Sequence, residues 1–355
     1  MTTLRLSVDP RRLDAPESRH SIDRAAEILC AGGLVAMPTE TVYGLAASAL
    51  DADAVARIFA AKQRPSWDPV IVHIAGPVED NPMLAQLVNE LPERARKLMT
   101  AFWPGPLTLL LPRSKAVPDA VTAGRPLVGI RMPAHPVAFE LIRRCGLPLA
   151  APSANVFSHV SPTTAAHVLD DLDGRIDAVL DAGPADHGLE STVLDPSPSP
   201  MIIYRPGAVT AEQIEHVAGH VELFKSDRAQ MPTPPESLPS PGIGMRHYAP
   251  RAKLVLLEGS LKDLAGKIAA ASQQHAGEKI GVMIPEEIRS DLPPIPNAVP
   301  FPWGSWASLE QLAHNVFAGL RFLDAQGCTV ILCPLPPDAG LGSAIRDRLR
   351  KAARS

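Results

Sequence analysis

Met37–Ile74, MPTETVYGLAASALDADAVARIFAAKQRPSWDPVIVHI, is the stretch from which the fold is read. The apolar run Leu34–Met37 leads into it as a short strand and a polar turn follows. Asp51 then stands where a helix cap is needed, a helix runs to near Lys62, and Pro69–Ile74 (PVIVHI) reads as a second buried strand. The order strand, loop, helix, strand places Thr39, Glu40, Thr41 and Tyr43 where the first strand ends, and Lys62 and Arg64 where the helix ends. Ligands bind at the ends of strands in open α/β sheets, so these hydroxyls and cations are expected to face one cleft. Pro65 stops the helix and holds Arg64 in an extended backbone, aiming its guanidinium away from the helix surface. A lysine and an arginine two residues apart, beside hydroxyls, suit a polyphosphate.

Working outward, Ser21, Asp23 and Arg24 open a helix whose apolar face carries Ala25, Ile28 and Leu29, closed by Gly32 and Gly33. Residues 83–101 read as one amphipathic helix. Trp103-Pro104-Gly105-Pro106 then turns the chain into the β run LTLLLP, residues 107–112. Leu127–Met132 is a strand with Arg131 set among apolar residues. Burying a lone arginine unpaired is costly, so it needs an anion, either in a structural ion pair or from a bound carboxylate. Pro148–Ala151 is a further strand, with Ser153, Ala154 and Asn155 at its exit. Ala178–Ala182, Ser191–Asp195 and Met201–Tyr204 follow as strands, the last bringing Arg205 to the sheet edge. A helix over 210–218 closes a first domain.

Residues 226–250 hold six prolines and little periodicity, which predicts a stiff linker. Beyond them, strands at 253–257, 279–284 and 328–333 alternate with helices at 260–275 and 305–325, the rhythm of a small parallel sheet. Cys328 and Cys333 fall on opposite sides of CTVILC and read as core thiols. The five cations of the terminal helix, 345–354, are expected on a solvated face. The fold expected is α/β: a twisted open mixed sheet with helices over residues 1–220, a linker over 221–250, and a smaller Rossmann-like α/β domain over 251–355.

Composition agrees with two domains, since 355 residues exceed the roughly 250–300 at which single cores stop growing. Four cysteines make no disulfide framework and fit a reducing cytoplasm. The charged N-terminus is no signal peptide, and no run reaches about 18 apolar residues, so no membrane association is expected. With 34 basic and 38 acidic side chains the net charge is -4, which argues against broad sequence-independent nucleic-acid binding. No phosphate-binding loop of the Walker type, zinc-protease helix pair, nucleophile elbow or Cys–His pair is present, so covalent catalysis has no support. Hydroxyls and isolated cations at strand ends suit the orientation of substrates and the stabilisation of phosphoryl charge.

PTETVYGL (Pro38–Leu45), K-x-R-P (Lys62–Pro65) and PVIVH together resemble the threonylcarbamoyladenylate synthases of the YrdC-like family. The resemblance continues through FWPGPLTLLLP (Phe102–Pro112), VGIRMP (Val128–Pro133), LAAPSAN (Leu149–Asn155), SPTTAAHV (Ser161–Val168), GLESTVLD (Gly188–Asp195), YRPGAVT (Tyr204–Thr210) and RHYAP (Arg246–Pro250). It implies a YrdC-like fold and a nucleotidyltransferase that joins L-threonine, bicarbonate and ATP into threonylcarbamoyl-AMP with release of pyrophosphate. The product feeds a separate transferase that modifies transfer RNA; direct binding of transfer RNA is left open. The resemblance assigns threonine to Thr41, His73, Arg131, Ala151 and Ser191, with Arg131 on its carboxylate. It assigns ATP to Lys62, Arg64, Asp68, Leu127, Ser153, Asn155, Ser161, Arg205 and Tyr248, with Lys62 and Arg64 as the catalytic pair. Mg²⁺ is expected on the ATP phosphates, with no protein metal site. Ser161 and Pro162 are expected to open a helix whose N-terminus can receive phosphate, and Gly242–Pro250 to fold back as a lid carrying Tyr248. Two departures stand out: Asp68 replaces a common asparagine, and Ser158-His159 replaces a common serine-glycine pair. The extra domain marks the long form and is expected to regulate lid closure. Two other classes remain open, a carbamoyl-transfer relative and a non-catalytic RNA-binding module.

Overall fold

A computed structural model describes residues 2–224 and 247–354. It divides into two units: residues 2–157, 162–186 and 190–224, and residues 158–161, 187–189 and 247–354. Most of the expected linker, 225–246, lies outside the described residues, as does the 242–246 part of the expected lid.

In the first unit the strands are β1 (Leu4–Ser7), β2 (Val35–Met37), β3 (Gly44–Ser48), β4 (Ile71–His73), β5 (Leu107–Pro112), β6 (Leu127–Arg131), β7 (Leu149–Ala150), β8 (Ala178–Asp181), β9 (Thr192–Asp195), β10 (Met201–Arg205) and β11 (Val221–Leu223). They form one mixed sheet in the order β1-β8-β2-β3-β7-β4-β6-β5-β9-β10-β11. Because side chains alternate across a strand, the sheet has two chemically different faces. Val72, Leu107, Leu109, Leu111, Val128, Ile130 and Leu194 face the main core with Ile22, Leu29, Ile58, Leu98, Leu141 and Val168 of the helices. The alternate residues Ile71, Leu110 and Val193 form a separate small cluster, flanked by Leu127 and Tyr204.

Several elements differ from the sequence reading. The supposed single loop after β2 contains β3, which pairs antiparallel with β2, so residues 38–43 connect a hairpin. The helix expected over 83–101 is two helices, Pro82–Leu87 and Glu93–Phe102, because Pro92 cannot continue one and instead stands just before the first turn of the next. The first helix starts at Pro16, five residues before Ser21, which is buried on it. Ser161 and Pro162 do not open a helix: that helix is Ala165–Leu172, capped by the Thr164 side chain, which accepts from His167 N–H. The helix Ala52–Lys62 is as expected. The Asp51 carboxylate accepts from the N–H groups of Asp53 and Ala54, and Gln63 closes the helix in the left-handed region at φ 54°.

The second unit is a four-stranded parallel sheet of β12 (Lys253–Leu257), β13 (Ile280–Pro285), β14 (Ala298–Gly304) and β15 (Val330–Pro334), in the order β12-β15-β13-β14. β14 carries Pro300 and Pro302, which an edge strand tolerates because one side of it needs no ladder donors. Cys328 and Cys333 are buried, and burial pushes both thiols up. The terminal helix, Leu341–Ala352, presents Arg350 to solvent as expected, but not its other three cations. Arg346, Arg348 and Lys351 are buried; Asp347 takes Arg348 at 2.7 Å and Lys351 at 2.8 Å, while Arg346 donates to Pro336 O at 2.8 Å and pairs with Glu258. No helix of the described residues is long and apolar enough to cross a membrane.

Candidate functional site

The polar residues of the first unit gather on the sheet face opposite the main core. His73 on β4 pairs in register with Arg131 on β6, and Leu109 of β5 pairs with Ile130, so Thr108 and Arg131 come to the same end of that strand pair. Thr108 Oγ1 lies 2.8 Å from Ser191 Oγ, just before β9. A register irregularity between Ile203 and Arg205 sets Arg205 against Val193, and its guanidinium donates to Ser191 O and Ser191 Oγ, both at 3.0 Å. His73, Arg131, Thr108, Ser191 and Arg205 thus follow one another across adjacent strands, beside the apolar patch of Ile71, Leu110 and Val193.

The hairpin connection closes on this row. Arg131 Nη1 donates to Thr41 Oγ1 at 2.8 Å, its Nε donates to Gly105 O at 3.2 Å, and its Nη2 lies 2.7 Å from Glu40 Oε1. Thr39 Oγ1 lies 2.9 Å from Thr41 Oγ1 and donates to Val42 O at 2.6 Å, fixing the turn. Burial alone would raise the Glu40 carboxyl, but the charge of Arg131 and the Ala134 backbone hold it below its usual range. Glu40 and Arg131 are therefore a buried charged pair. Burial and the Arg131 charge push His73 down to about 3, so the ring is neutral, and its Nδ1 has no partner among the described residues.

The expected phosphate residues form a second group. Lys62 is buried and donates to the carbonyls of Ser153 and Asn155, both at 2.5 Å, stapling the turn after β7 to the helix end. Arg64 does not point outward as Pro65 suggested. It is buried, donates to Asp68 O at 3.1 Å and Pro69 O at 2.6 Å, and pairs with the Asp68 carboxylate at 2.9 Å. Its guanidinium also lies 5.9 Å from the Phe157 ring centre. Burial raises the Asp68 carboxyl against the opposing charges of Arg64, Lys62 and Arg205. One carboxylate thus sits in the field of three cations.

Other expected site residues have different surroundings. Tyr43 turns into the main core and donates to Gly183 O at 2.6 Å, so it does not join the cleft hydroxyls. Ala151 packs in the main core and its N–H donates to Ile71 O at 2.8 Å. Leu127 flanks the apolar patch. The Asn155 side chain donates to Val156 O at 2.8 Å, and Ser153 bridges to Gly44 through the backbone. Ser161 and Tyr248 belong to the second unit. There Tyr248 is buried at φ 63°, stacked on Phe317 with ring centres 5.7 Å apart and covered by the Arg348 guanidinium at 5.3 Å. In the second departure, the Ser158-His159 pair, Ser158 takes a φ of 70°, a conformation natural to glycine, and His159 bridges to Ala249. Sequence reasoning placed Thr39 and Glu40 at this strand end but did not pair Glu40 with Arg131, and it missed Thr108. The signal for Glu40 was a carboxylate between two threonines at a strand end, matched by an isolated arginine elsewhere. Among the described residues no group of three or more His, Cys, Asp or Glu side chains could hold a metal ion.

Residues 27–207 match the Sua5–YciO–YrdC family model, described as telomere recombination, and residues 209–354 match the model described as threonylcarbamoyl-AMP synthase, C-terminal domain. A threonylcarbamoyl-AMP synthase of Pyrococcus abyssi is 41% identical over 331 residues, 93% of each chain. One of Bacillus subtilis is 44% identical over 344 residues, 94% of this chain and 92% of the relative. The crystal structure of P. abyssi Sua5 complexed with L-threonine is similar with a TM-score of 0.88 at 39% identity, over 99% of this chain and 98% of that one.

Proposed function

The chain belongs to the Sua5–YciO–YrdC family in its long form with the C-terminal domain, and from that premise we propose that it is a threonylcarbamoyl-AMP synthase. The amine of L-threonine and bicarbonate give a carbamate and water. A carbamate oxygen then attacks the α-phosphorus of ATP, forming the mixed anhydride as pyrophosphate leaves. The observation that carries this reading is similarity to synthases along nearly the whole length of both chains.

In this reading the polar row of the first unit takes threonine. A guanidinium has five N–H donors, and the contacts of Arg131 with Thr41, Gly105 and Glu40 leave donors on Nη1 and Nη2 for the threonine carboxylate. Neutral His73, with Nδ1 unengaged, and the Thr41 and Ser191 hydroxyls suit the threonine hydroxyl and amine. Lys62, Arg64 and Arg205 neutralise phosphate charge, with Ser153 and Asn155 shaping the turn that Lys62 holds. Catalysis is then positioning and charge stabilisation, with no protein nucleophile. Mg²⁺ belongs to this reading as the counter-ion of the ATP phosphates. The cytoplasm, a downstream transferase acting on transfer RNA, and assignment of catalysis to residues 1–220 are parts of the same reading. The test is pyrophosphate release by the purified protein with threonine and bicarbonate each supplied or withheld. Release that needs both is expected; release without threonine would overturn the proposal.

A further inference from the structure

Asp68 is the unusual member of the cation group. It is 1% exposed, its Oδ2 lies 2.9 Å from Arg64 Nη2, and its Oδ1 has no partner among the described residues. The backbone of the same turn takes the other Arg64 donors, through Asp68 O and Pro69 O. Arg64 is thereby folded onto its own segment. The charged groups bearing on Asp68 are Arg64 and Lys62, from the helix end and the turn after it, and Arg205 from β10. A polyphosphate directed to these three cations meets a carboxylate already holding one of them.

We propose that Asp68 is an internal counter-anion of the Lys62–Arg64–Arg205 group, and that nucleotide polyphosphate competes with it, so that Asp68 sets the strength and pH dependence of nucleotide binding. This rests on the reading that these cations receive the phosphates of ATP. Asp68 offsets part of a buried positive charge that would otherwise be uncompensated. When phosphate oxygens arrive, the cations are shared and the carboxylate faces added negative charge. Burial already raises the Asp68 carboxyl, so it responds by taking up a proton. Binding therefore weakens as pH rises, because proton uptake becomes harder.

The test is isothermal titration of the full-length protein with a non-hydrolysable ATP analogue, with and without magnesium, at several pH values from 6 to 9. Two buffers of different ionisation enthalpy at each pH give the protons taken up. Asp68→Asn keeps the shape and an acceptor for Arg64 while removing the charge; Asp68→Glu keeps the charge. The wild type is expected to take up more protons than Asp68→Asn. The Asn variant is expected to bind about tenfold more tightly at pH 8, with a flatter pH profile, from removal of one like charge near the phosphates. Asp68→Glu should retain the wild-type slope. Equal affinity and equal proton uptake in wild type and Asp68→Asn would overturn the proposal and leave the cation site standing. Weaker binding by Asp68→Asn in magnesium alone would also overturn it, making Asp68 a ligand of the nucleotide's metal. Failure of the wild type to bind the analogue would overturn the phosphate-site reading and the proposal together. If Asp68→Asn does not fold, as a melting curve would show, wild-type binding with no proton uptake beyond that of the analogue itself is still sufficient to refute it.

Discussion

The Arg131–Glu40 pair ties the threonine reading to stability, and substitution can separate the two. Arg131→Ala removes a charge-assisted contact worth roughly 1.5–3 kcal/mol, so the threonine requirement should rise at least about tenfold while that for ATP changes little. The same change strands Glu40 in the interior, at a cost of about 3 kcal/mol or more in denaturant unfolding. Adding Glu40→Gln should restore much of that stability without restoring threonine affinity. Recovery of both would reduce Arg131 to a structural partner. His73 makes a second residue-scale prediction. Its ordinary value is 6.5 and its folded value about 3, so between these the unfolded chain binds a proton that the native state refuses. Stability rises with pH across that window and is lost as pH falls from about 6.5, by up to about 1.4 kcal/mol per pH unit. His73→Gln should flatten the wild-type curve between pH 5 and 6.5; an unchanged slope would mean that His73 is not the group responsible.

At the scale of elements, the start of β9 packs closely against the turn after β10. A Cβ on Gly207 would lie 2.4 Å from Thr192 N and 2.5 Å from Glu190 O, both backbone atoms that cannot step aside. Gly207→Ala should therefore displace Ser191, cost about 1–3 kcal/mol in stability, and raise the threonine requirement. A variant with native melting and native threonine dependence would show that the segment yields freely. Asp51→Ala should cost about 1 kcal/mol through loss of the cap, without a change in substrate preference. The elements that sequence reasoning found are those with strong local signals: the capped helix of Asp51, the apolar LTLLLP, and IVH before its glycine-bearing exit. β3 was missed because GLAAS is small and non-alternating, equally compatible with helix, strand or loop. β14 was hidden by prolines that only an edge position allows. The pairing of Glu40 with Arg131 and the inward turn of Arg64 were hidden for another reason: the partners are a residue 91 positions away and the backbone of a turn, and neither shows as periodicity.

For the whole molecule, the separation into a large mixed sheet and a small parallel one was legible from length and from the change in rhythm past the proline-rich stretch. The fate of the terminal cations was not, because only packing decides whether a basic helix faces water or pairs inside. Nor did the sequence show that residues 158–161 and 187–189 belong with the C-terminal unit. Arg321 donates to Val160 O at 2.5 Å and Ser161 O at 3.4 Å, and a Cβ on Gly188 would meet His314 O at 2.4 Å. Deleting residues 226–355 removes these partners and should abolish or sharply reduce pyrophosphate release that depends on threonine and bicarbonate. Full activity in the truncated chain would show that residues 158–161 and 187–189 need no support. The same contacts bear on how the protein is made. Val160 precedes Arg321 by 161 positions, so at a synthesis rate of about 5–20 residues per second it leaves the ribosome roughly 8–32 s before its partner exists. Residues 158–161 therefore lack this partner until translation has passed residue 321, and a nascent chain stalled before that point is left without it.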